Sequence, residues 1–461
     1  MNRDDLAARF AGELIWPDHA SYDEARATFN QRQRTRPNLI ARCIGNADVV
    51  AALQFARDEG LEVATRATGH SYAGLSATEG VVLDLSLMRG VRVDPQCRTA
   101  RLQGGSRTGD IQTEAGLFGF GASTGALSTT GPGLILCGGS GFLRTRGGRS
   151  SDQILAADLV TAEGRLVRVS PDAEPDLLWA LRGAGPSFGV VTSLDIQLYP
   201  VPPEVAGGTM YWREPRLEEG VRALREAAEH ATEGLMMVNF LRFDDLHATL
   251  PEQFRGVPFF ELTYCHVGSP EEAAADLGLI REAGRPDEEE SYTSSFRDLH
   301  FWLVRNTARL STDSYCVGEL RDDVIALTCS VAREMGTPGA MHGIEFLDQR
   351  GALAREPALP SAQPRTPARA FSIRAQVMYT DPDEDREHDA WAGRLIRRLQ
   401  DTGLGIEDVC IANTLSYRAA EERVRASFGA ESYERLARLK HTWDPDNVFH
   451  HALPISPQSG A

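Results

Sequence analysis

No stretch of the 461 residues carries an apolar run long enough to span a bilayer, and no basic surplus offsets the acidic side chains. The formal charge is −17. Nucleic acid and anionic lipid both require a positive footprint, so neither nucleic acid nor membrane is expected as a partner. Met1-Asn-Arg-Asp-Asp-Leu6 opens on acidic residues without an apolar segment of signal-peptide length, and a cytoplasmic protein is expected. The seven cysteines (43, 97, 137, 265, 316, 329 and 410) are odd in number and scattered, with no C-x-x-C pair. A disulfide framework is therefore not expected and no metal site is expected; reduced, buried thiols are. No Gly-x-Gly-x-x-Gly opens a helix after the first predicted strand, which excludes a Rossmann-type dehydrogenase. Nor does any internal repeat suggest a solenoid.

What is present is a globular composition, 42% apolar and 25% charged, in a chain long enough for two or three domains. Pro37–Cys43 reads as a strand. Asn46–Gly60 reads as an amphipathic helix, with Asn46 as N-cap and Gly60 just past its end. Leu61–Ala64 is a second strand, so the three form a β-α-β unit. Directly after it comes Val63-Ala-Thr-Arg-Ala-Thr-Gly-His-Ser-Tyr-Ala-Gly74, a tight loop punctuated by Gly69 and Gly74. Small residues there leave backbone N–H groups uncovered, Arg66 adds charge and Ser71 a hydroxyl, a concavity suited to a diphosphate. His70 projects an imidazole from the same loop. By itself a histidine after a glycine is more often only a loop residue.

Further strands are predicted at Val81–Leu87 and Thr99–Gly105, and a short helix at Arg107–Gly116. Gly121–Gly141 then holds too many glycines for a regular element. Such density usually means backbone packed around a ligand. A flexible linker does not fit, because Leu134-Ile-Leu136 and Phe142-Leu143 need burial. Ala156–Val169 reads as a hairpin turning at Glu163-Gly164. Asp176–Arg182 is a helix, and Gly183–Thr192 a glycine turn feeding a strand that runs to Tyr199-Pro200. The texture changes after Pro200-Val-Pro-Pro203. Strands Met236–Phe243, Pro258–His266 and Phe371–Tyr379 alternate with acidic amphipathic helices, one opened by the capping box Ser269-Pro-Glu-Glu272. The pattern is an antiparallel sheet with helices on one face. A Pro-rich stretch, 351–370, reads as a surface excursion, and Ala420–Lys440 as a single closing helix.

Taken together these pieces resemble the FAD-linked oxidases of the berberine bridge enzyme-like group, within the vanillyl alcohol oxidase superfamily. Arg66-Ala-Thr-Gly-His-Ser71 looks like the family's R-G-G-G-H-S pyrophosphate loop, whose histidine carries an 8α-linked flavin. Gly131-Pro-Gly-Leu-Ile-Leu-Cys-Gly-Gly-Ser-Gly141 is similar to its second glycine loop. Asp158-Leu-Val-Thr-Ala-Glu-Gly164 and Ser187-Phe-Gly-Val-Val-Thr192 match two further motifs, as does Tyr433-Glu-Arg-Leu436 followed by Asp444-Pro-Asp-Asn-Val-Phe449. The match is nearly continuous over 35–200 and 420–455. It implies an α+β fold: a PCMH-type, two-part FAD-binding domain (1–200 and 411–461) with an inserted antiparallel-sheet substrate domain backed by helices (201–410). It implies FAD bonded covalently to His70 and cradled by Arg66, Ala67, Thr68, Gly69 and Ser71. Gly131, Gly133, Gly138, Gly139 and Gly141 would supply the second loop, and Gly189, Val190 and Val191 the backbone beside the adenine. Two departures stand out. Leu127, in Gly125-Ala-Leu-Ser128, replaces the cysteine that anchors the flavin a second time in many members, so a single bond is expected; Cys137 reads as a small buried thiol. Ala452 replaces a flavin-facing asparagine, a contact left to His450 or His451.

For the chemistry, His342-Gly-Ile-Glu-Phe-Leu-Asp348 resembles the family's substrate-sheet strand. Period-two alternation sets Glu345 and Leu347 on one face, with Ile344 and Phe346 on the other, under helices. Glu345 then faces the cavity, where a carboxylate among apolar neighbours becomes a stronger base; the alternative is an ion-paired sheet carboxylate partnered by Arg374. Arg374 and Gln376, Glu261 and Thr263, and Asn239 and Leu241 are the other pocket candidates. Tyr417 and Asn413 fall where family members place polar residues near the flavin edge, Tyr417 as a catalytic candidate. A strand glutamate without a cysteine anchor also resembles a narrower subgroup, actinobacterial polyketide-tailoring oxidases such as the enterocin-forming flavoenzyme. The expected function is thus an FAD-dependent oxidase or oxygenase of secondary metabolism, acting with O2 on an enolisable or phenolic small molecule. A carbohydrate or alcohol oxidase and a non-catalytic flavoprotein are the alternatives, and the oligomeric state, a homodimer included, is left open.

Overall fold

The computed structural model describes residues 1–246, 250–302, 308–406 and 421–458. Val81-Val-Leu-Asp84, buried at all four positions, is the kind of strand that needs cover on both faces. It is the interior strand β4 of a first sheet, with β1 (Glu13–Ile15), β2 (Leu39–Arg42) and β3 (Val63–Arg66), in the order β1-β2-β4-β3. β2 and β3 both run parallel to β4. The predicted β-α-β unit therefore forms, with β4 seated between its two strands. Its helix is Asn46–Asp58; Gly45, not Asn46, holds the cap position, and Gly60 closes the far end at φ +64°.

A second sheet follows: β5 (Val91–Asp94) and β6 (Thr99–Gln103), then, past the two-residue β7 (Phe120–Gly121), β8 (Ile154–Val160), β9 (Leu166–Val169) and β10 (Val190–Gln197). Its order is β5-β6-β10-β8-β9, while β7 pairs with β11 (Tyr199–Pro200). The helix Pro175–Ala184 packs on this sheet through Leu177 and Leu181, in the same core as Phe428, Tyr433 and Leu436 from the end of the chain. The tail is two helices where one was expected, Glu421–Phe428 and Ala430–Trp443. Gly429 separates them as the N-cap of the second, at φ +74°, a backbone conformation that favours glycine and that a helix cannot run through.

The third sheet holds β12 (Val205–Arg213), β13 (Leu235–Asp244), β14 (Phe259–His266), β15 (Glu288–Ser294), β16 (Arg309–Val317), β17 (Met341–Asp348) and β18 (Phe371–Tyr379). Their order is β15-β12-β14-β13-β17-β18-β16, antiparallel throughout. Helices Leu217–His230, Asp322–Arg333 and Asp385–Gln400 cover one face, where Trp212, Leu241, Ile344, Phe346 and Ile373 meet Leu224, Val324 and Leu395. Each such side chain contributes roughly 1.5–3 kcal/mol by leaving water, so this face is fixed by the hydrophobic effect. The opposite face turns toward the loops of the first two sheets, and a cavity lies between. The α+β architecture read from the sequence is the one observed.

The stretch 351–370 follows the surface only in part. Arg355, Glu356, Ala358 and Pro360 are exposed as expected, whereas Leu353, Ala362, Gln363 and Thr366 are buried. The Arg182 guanidinium donates to the carbonyls of Pro360 (2.9 Å) and Leu359 (2.8 Å), Gln363 Nε2 donates to the Cys137 carbonyl (3.1 Å), and Arg365 pairs with Asp152 (2.6 Å). A proline-rich segment cannot satisfy itself in a sheet or helix, so its free carbonyls take donors from the neighbouring domain.

Candidate active site

The His70 loop starts where β3 stops. Arg66 is its last strand residue and stands directly opposite Asp84 in the parallel register. Its guanidinium donates to Asp84 (2.8 Å) and to the Ala25 carbonyl (2.7 Å), and it is buried. The expectation that Arg66 lends its charge to the cavity is thereby corrected. Two opposite charges buried side by side satisfy each other, because leaving either alone would cost several kcal/mol, roughly 3–5. Arg66 braces the loop from behind.

Ala67, Thr68, Gly69, His70, Ser71 and Tyr72 line one end of a cavity of about 280 Å³. Gly69 and Gly74 take φ values of +76° and +78°, which lets the chain reverse within it. Ser71 Oγ accepts the Leu75 N–H at 2.9 Å. The His70 ring stacks on Phe29, with centroids 4.6 Å apart and planes 22° from parallel, and Phe29 stacks in turn on Tyr72. Burial, aided by the Arg107 charge, pushes the His70 imidazole down to about 4. It is therefore neutral near pH 7, and its buried Nδ1 has no hydrogen-bond partner among the described residues.

The second glycine loop closes on the first. A Cβ at Gly131 would sit 2.6 Å from Thr68, and one at Gly141 would sit 1.5 Å from the Thr124 carbonyl oxygen. Gly131, Gly133 and Gly141 line the cavity together with Leu127, Cys137 and Ser140. Leu127, where the resemblance would put a second flavin anchor, is an apolar wall residue. Burial lifts the Cys137 thiol to about 12, so it is a protonated SH in the wall. Gly138 and Gly139 stand behind, where their carbonyls accept the N–H groups of Ser151 (2.7 Å) and Ser150 (3.1 Å). Gly189, Val190 and Val191 are likewise absent from the lining. Gly189 packs on Leu159, the two valines point into the cores on either side, and Pro186 is the wall residue of that turn.

From the third sheet come Met236, Val238 and Phe240 of β13, Glu345 and Leu347 of β17, and Arg374 of β18. Glu345 and Leu347 face the cavity as read, with Ile344 and Phe346 in the helix-covered core. Glu345 is not among apolar neighbours alone, however. It sits directly across from Arg374 in the β17–β18 register and is ion-paired with it. The Arg374 guanidinium also lies over the Tyr72 ring, 5.9 Å from its centre. Asn239 and Leu241 face the other way, a correction to the expected parity. Leu241 is in the core, and Asn239 exchanges hydrogen bonds with the Phe346 backbone, 2.8 Å from its carbonyl and 3.2 Å from its N–H. Glu261 and Thr263 are on the correct face but outside the cavity, engaged with Arg242 (2.6 Å) and Thr209 (3.1 Å). Gln376 is fully buried beside the site without lining it. Tyr417 and Asn413 lie outside the described residues.

Sequence reasoning passed over Phe29, Tyr72, Val238, Phe240 and Arg144. Tyr72 could have been found from its place two residues after His70. Arg144 lines the cavity, pairs with Asp348 at the end of β17 and donates to the Met237 carbonyl (2.8 Å), so it bolts the second loop to the sheet. At the far end Phe449, His451, Ala452 and Leu453 complete the wall. An orphaned neutral imidazole, two interlocked glycine loops and open space at Gly133 suit a flavin dinucleotide in this cavity.

Comparison with known proteins agrees. Residues 37–170 match the family described as FAD binding domain, and residues 379–456 the family described as berberine and berberine like. The (R)-6-hydroxynicotine oxidase of Paenarthrobacter nicotinovorans is 32% identical over 471 residues, which cover 97% of this chain and 97% of that one. The crystal structure of 6-hydroxy-D-nicotine oxidase from Arthrobacter nicotinovorans has a TM-score of 0.87 at 28% identity, over 97% of this chain and 98% of that one. A glucooligosaccharide oxidase from Acremonium strictum, whose FAD is 6-S-cysteinyl and 8α-N1-histidyl, shares the fold with a TM-score of 0.83 at 19% identity, over 99% of each chain. None of these three is a polyketide enzyme, and the narrower likeness to polyketide-tailoring oxidases finds no support in them.

Proposed function

Since the chain belongs to the berberine bridge enzyme-like FAD-linked oxidoreductases, we propose that it oxidises a compact phenolic, hydroxy-heteroaromatic or enolisable molecule with O2, on an FAD tethered once, through His70. The observation that carries this reading is the sheet wall of the cavity. Met236, Val238, Phe240 and Leu347 make it apolar, and Glu345 and Arg374 are its charged side chains among the described residues. A flat apolar molecule fits such a wall, with one acidic O–H directed at the pair.

When bound, FAD would supply the acceptor for the two electrons of a substrate C–H bond and a route for them to O2. The chain's own residues hold and aim. The N–H groups of loop 67–71 and of Gly131 and Gly133 would donate to the diphosphate, and the unpartnered His70 Nδ1 is the atom suited to carry the bond. Glu345 accepts the proton of the substrate hydroxyl or enol. As that carboxylate becomes a neutral acid, the Arg374 guanidinium pairs with the new oxyanion, so the net charge of wall and substrate together is unchanged. Phe240, Leu347 and Tyr72 keep water away and so strengthen both interactions. A sugar oxidase would need more polar lining than this wall provides, and the glucooligosaccharide oxidase shares only the fold.

The test is anaerobic flavin bleaching. Hydroxypyridines, phenols and β-dicarbonyl compounds should bleach the purified protein, and admitted air should restore the colour. Bleaching by oligosaccharides and by none of the former would overturn the substrate reading.

A further inference from the structure

No metal was expected from the sequence, yet a glutamate near one end of the chain and two adjacent histidines near the other meet at the rim of the cavity. Glu62 immediately precedes β3, while His450 and His451 follow the helix Ala430–Trp443. His451 Nε2 lies 2.9 Å from Glu62 Oε2, and His450 Nε2 lies 3.6 Å from Oε1. All three ligand atoms fall within 4.8 Å of one another, and the imidazole centroids are 4.4 Å apart.

The outer hydrogen bonds decide which atoms face inward. His450 Nδ1 is 2.9 Å from the Asn447 carbonyl. A carbonyl only accepts, so Nδ1 carries a hydrogen and Nε2 is the nitrogen left to face Glu62. Across from a carboxylate oxygen, that nitrogen is satisfied by a proton or by a cation held between the two. The Thr78 hydroxyl, donating to Glu62 Oε2 at 3.2 Å, fixes the carboxylate in the same manner. Outer partners of this kind orient metal-binding histidines and carboxylates. The spacings also fit: bonds of about 2.0–2.1 Å meeting at a tetrahedral angle give ligand–ligand edges of about 3.3 Å, between the two distances observed.

We propose that Glu62, His450 and His451 bind a divalent transition metal of the zinc class, with a remaining position open to water. Two imidazoles and one carboxylate favour such a cation over Mg2+ or Ca2+, which prefer all-oxygen sites. The site does not depend on the oxidase reading. Its consequence for that reading is mechanical. His451 and Ala452 line the cavity, and Glu62 anchors the strand that carries the His70 loop. A bound metal clips the closing turn to the root of that strand and holds the wall in place. A proton shared between Glu62 and the histidines is the competing account of the same geometry.

Flavin-loaded protein stripped with EDTA and titrated calorimetrically with Zn2+ distinguishes the two, with retained metal measured by mass spectrometry after gel filtration. Stoichiometric uptake is expected, together with a rise in Tm. His450→Ala and Glu62→Gln should each weaken uptake by at least about tenfold and abolish the rise. His450 is 39% exposed and outside the cavity lining, so its alanine variant should fold and match the wild-type Tm without metal. Failure of the wild type to take up Zn2+, or equal uptake by wild type and His450→Ala, would overturn the proposal.

Discussion

Glu345 and Arg374 face each other across β17 and β18, one register step in which both side chains reach the same cavity. The pairing couples a proton acceptor to a permanent cation on an otherwise apolar wall. Glu345→Gln should keep the flavin spectrum and the fold while slowing substrate-driven flavin reduction by about 10²–10⁴-fold, the range of a lost acid–base group. Stopped-flow reduction is the measurement; an unchanged rate would return Glu345 to a purely structural role. If the two act as a unit, Arg374→Gln should add little to the loss in the double variant.

A second pair holds the halves of the cavity together. Arg144 and Asp348 are both almost fully buried, and Arg350 supports Asp348 from the other side at 3.1 Å. Removing Asp348 strands two buried guanidiniums, at a cost of about 3–5 kcal/mol, while removing Arg144 leaves Asp348 to Arg350 alone. Asp348→Leu should therefore lower the urea midpoint strongly and Arg144→Met less so, and in the double variant the two losses should not add in full. A double variant as unstable as the sum of two singles would contradict this.

Acid should unfold the protein through its buried histidines. His300 and His342 are each held at about 4 by burial, against an ordinary value of 6.5. His300 is wedged between Phe142 and Phe296, and His342 against Trp391. Between pH 6.5 and 4 the unfolded chain binds protons that the folded chain refuses, so stability falls as pH falls through that window. Each histidine contributes a slope of up to about 1.4 kcal/mol per pH unit. His342→Leu should flatten the acid limb of a Tm-versus-pH curve; an identical limb would show that this histidine is not linked to folding.

The legible parts of the site were those where one face of an element is unambiguous. Ile344 and Phe346 demand a core, which leaves Glu345 and Leu347 to the cavity, and that parity was readable. β13 reads Leu-Met-Met-Val-Asn-Phe-Leu-Arg-Phe, apolar on both faces. The polar Asn239 therefore looked like the cavity side, although it serves the β13–β17 seam. Arg66 misled because its partner Asp84 becomes a neighbour only through the inserted strand β4. The Pro-rich stretch looked solvated because nothing local shows that Arg182 and Asp152 await its carbonyls and Arg365. Glu62 and His451 are 389 residues apart, a distance at which no periodicity or spacing speaks.

The tether at His70 is the centre of the account, and acid precipitation tests it most directly. The wild-type protein should give a yellow pellet that keeps its flavin through washing and denaturing electrophoresis, while His70→Ala should give a white pellet and release any flavin it holds. A white wild-type pellet, or a yellow one from His70→Ala, would contradict the account.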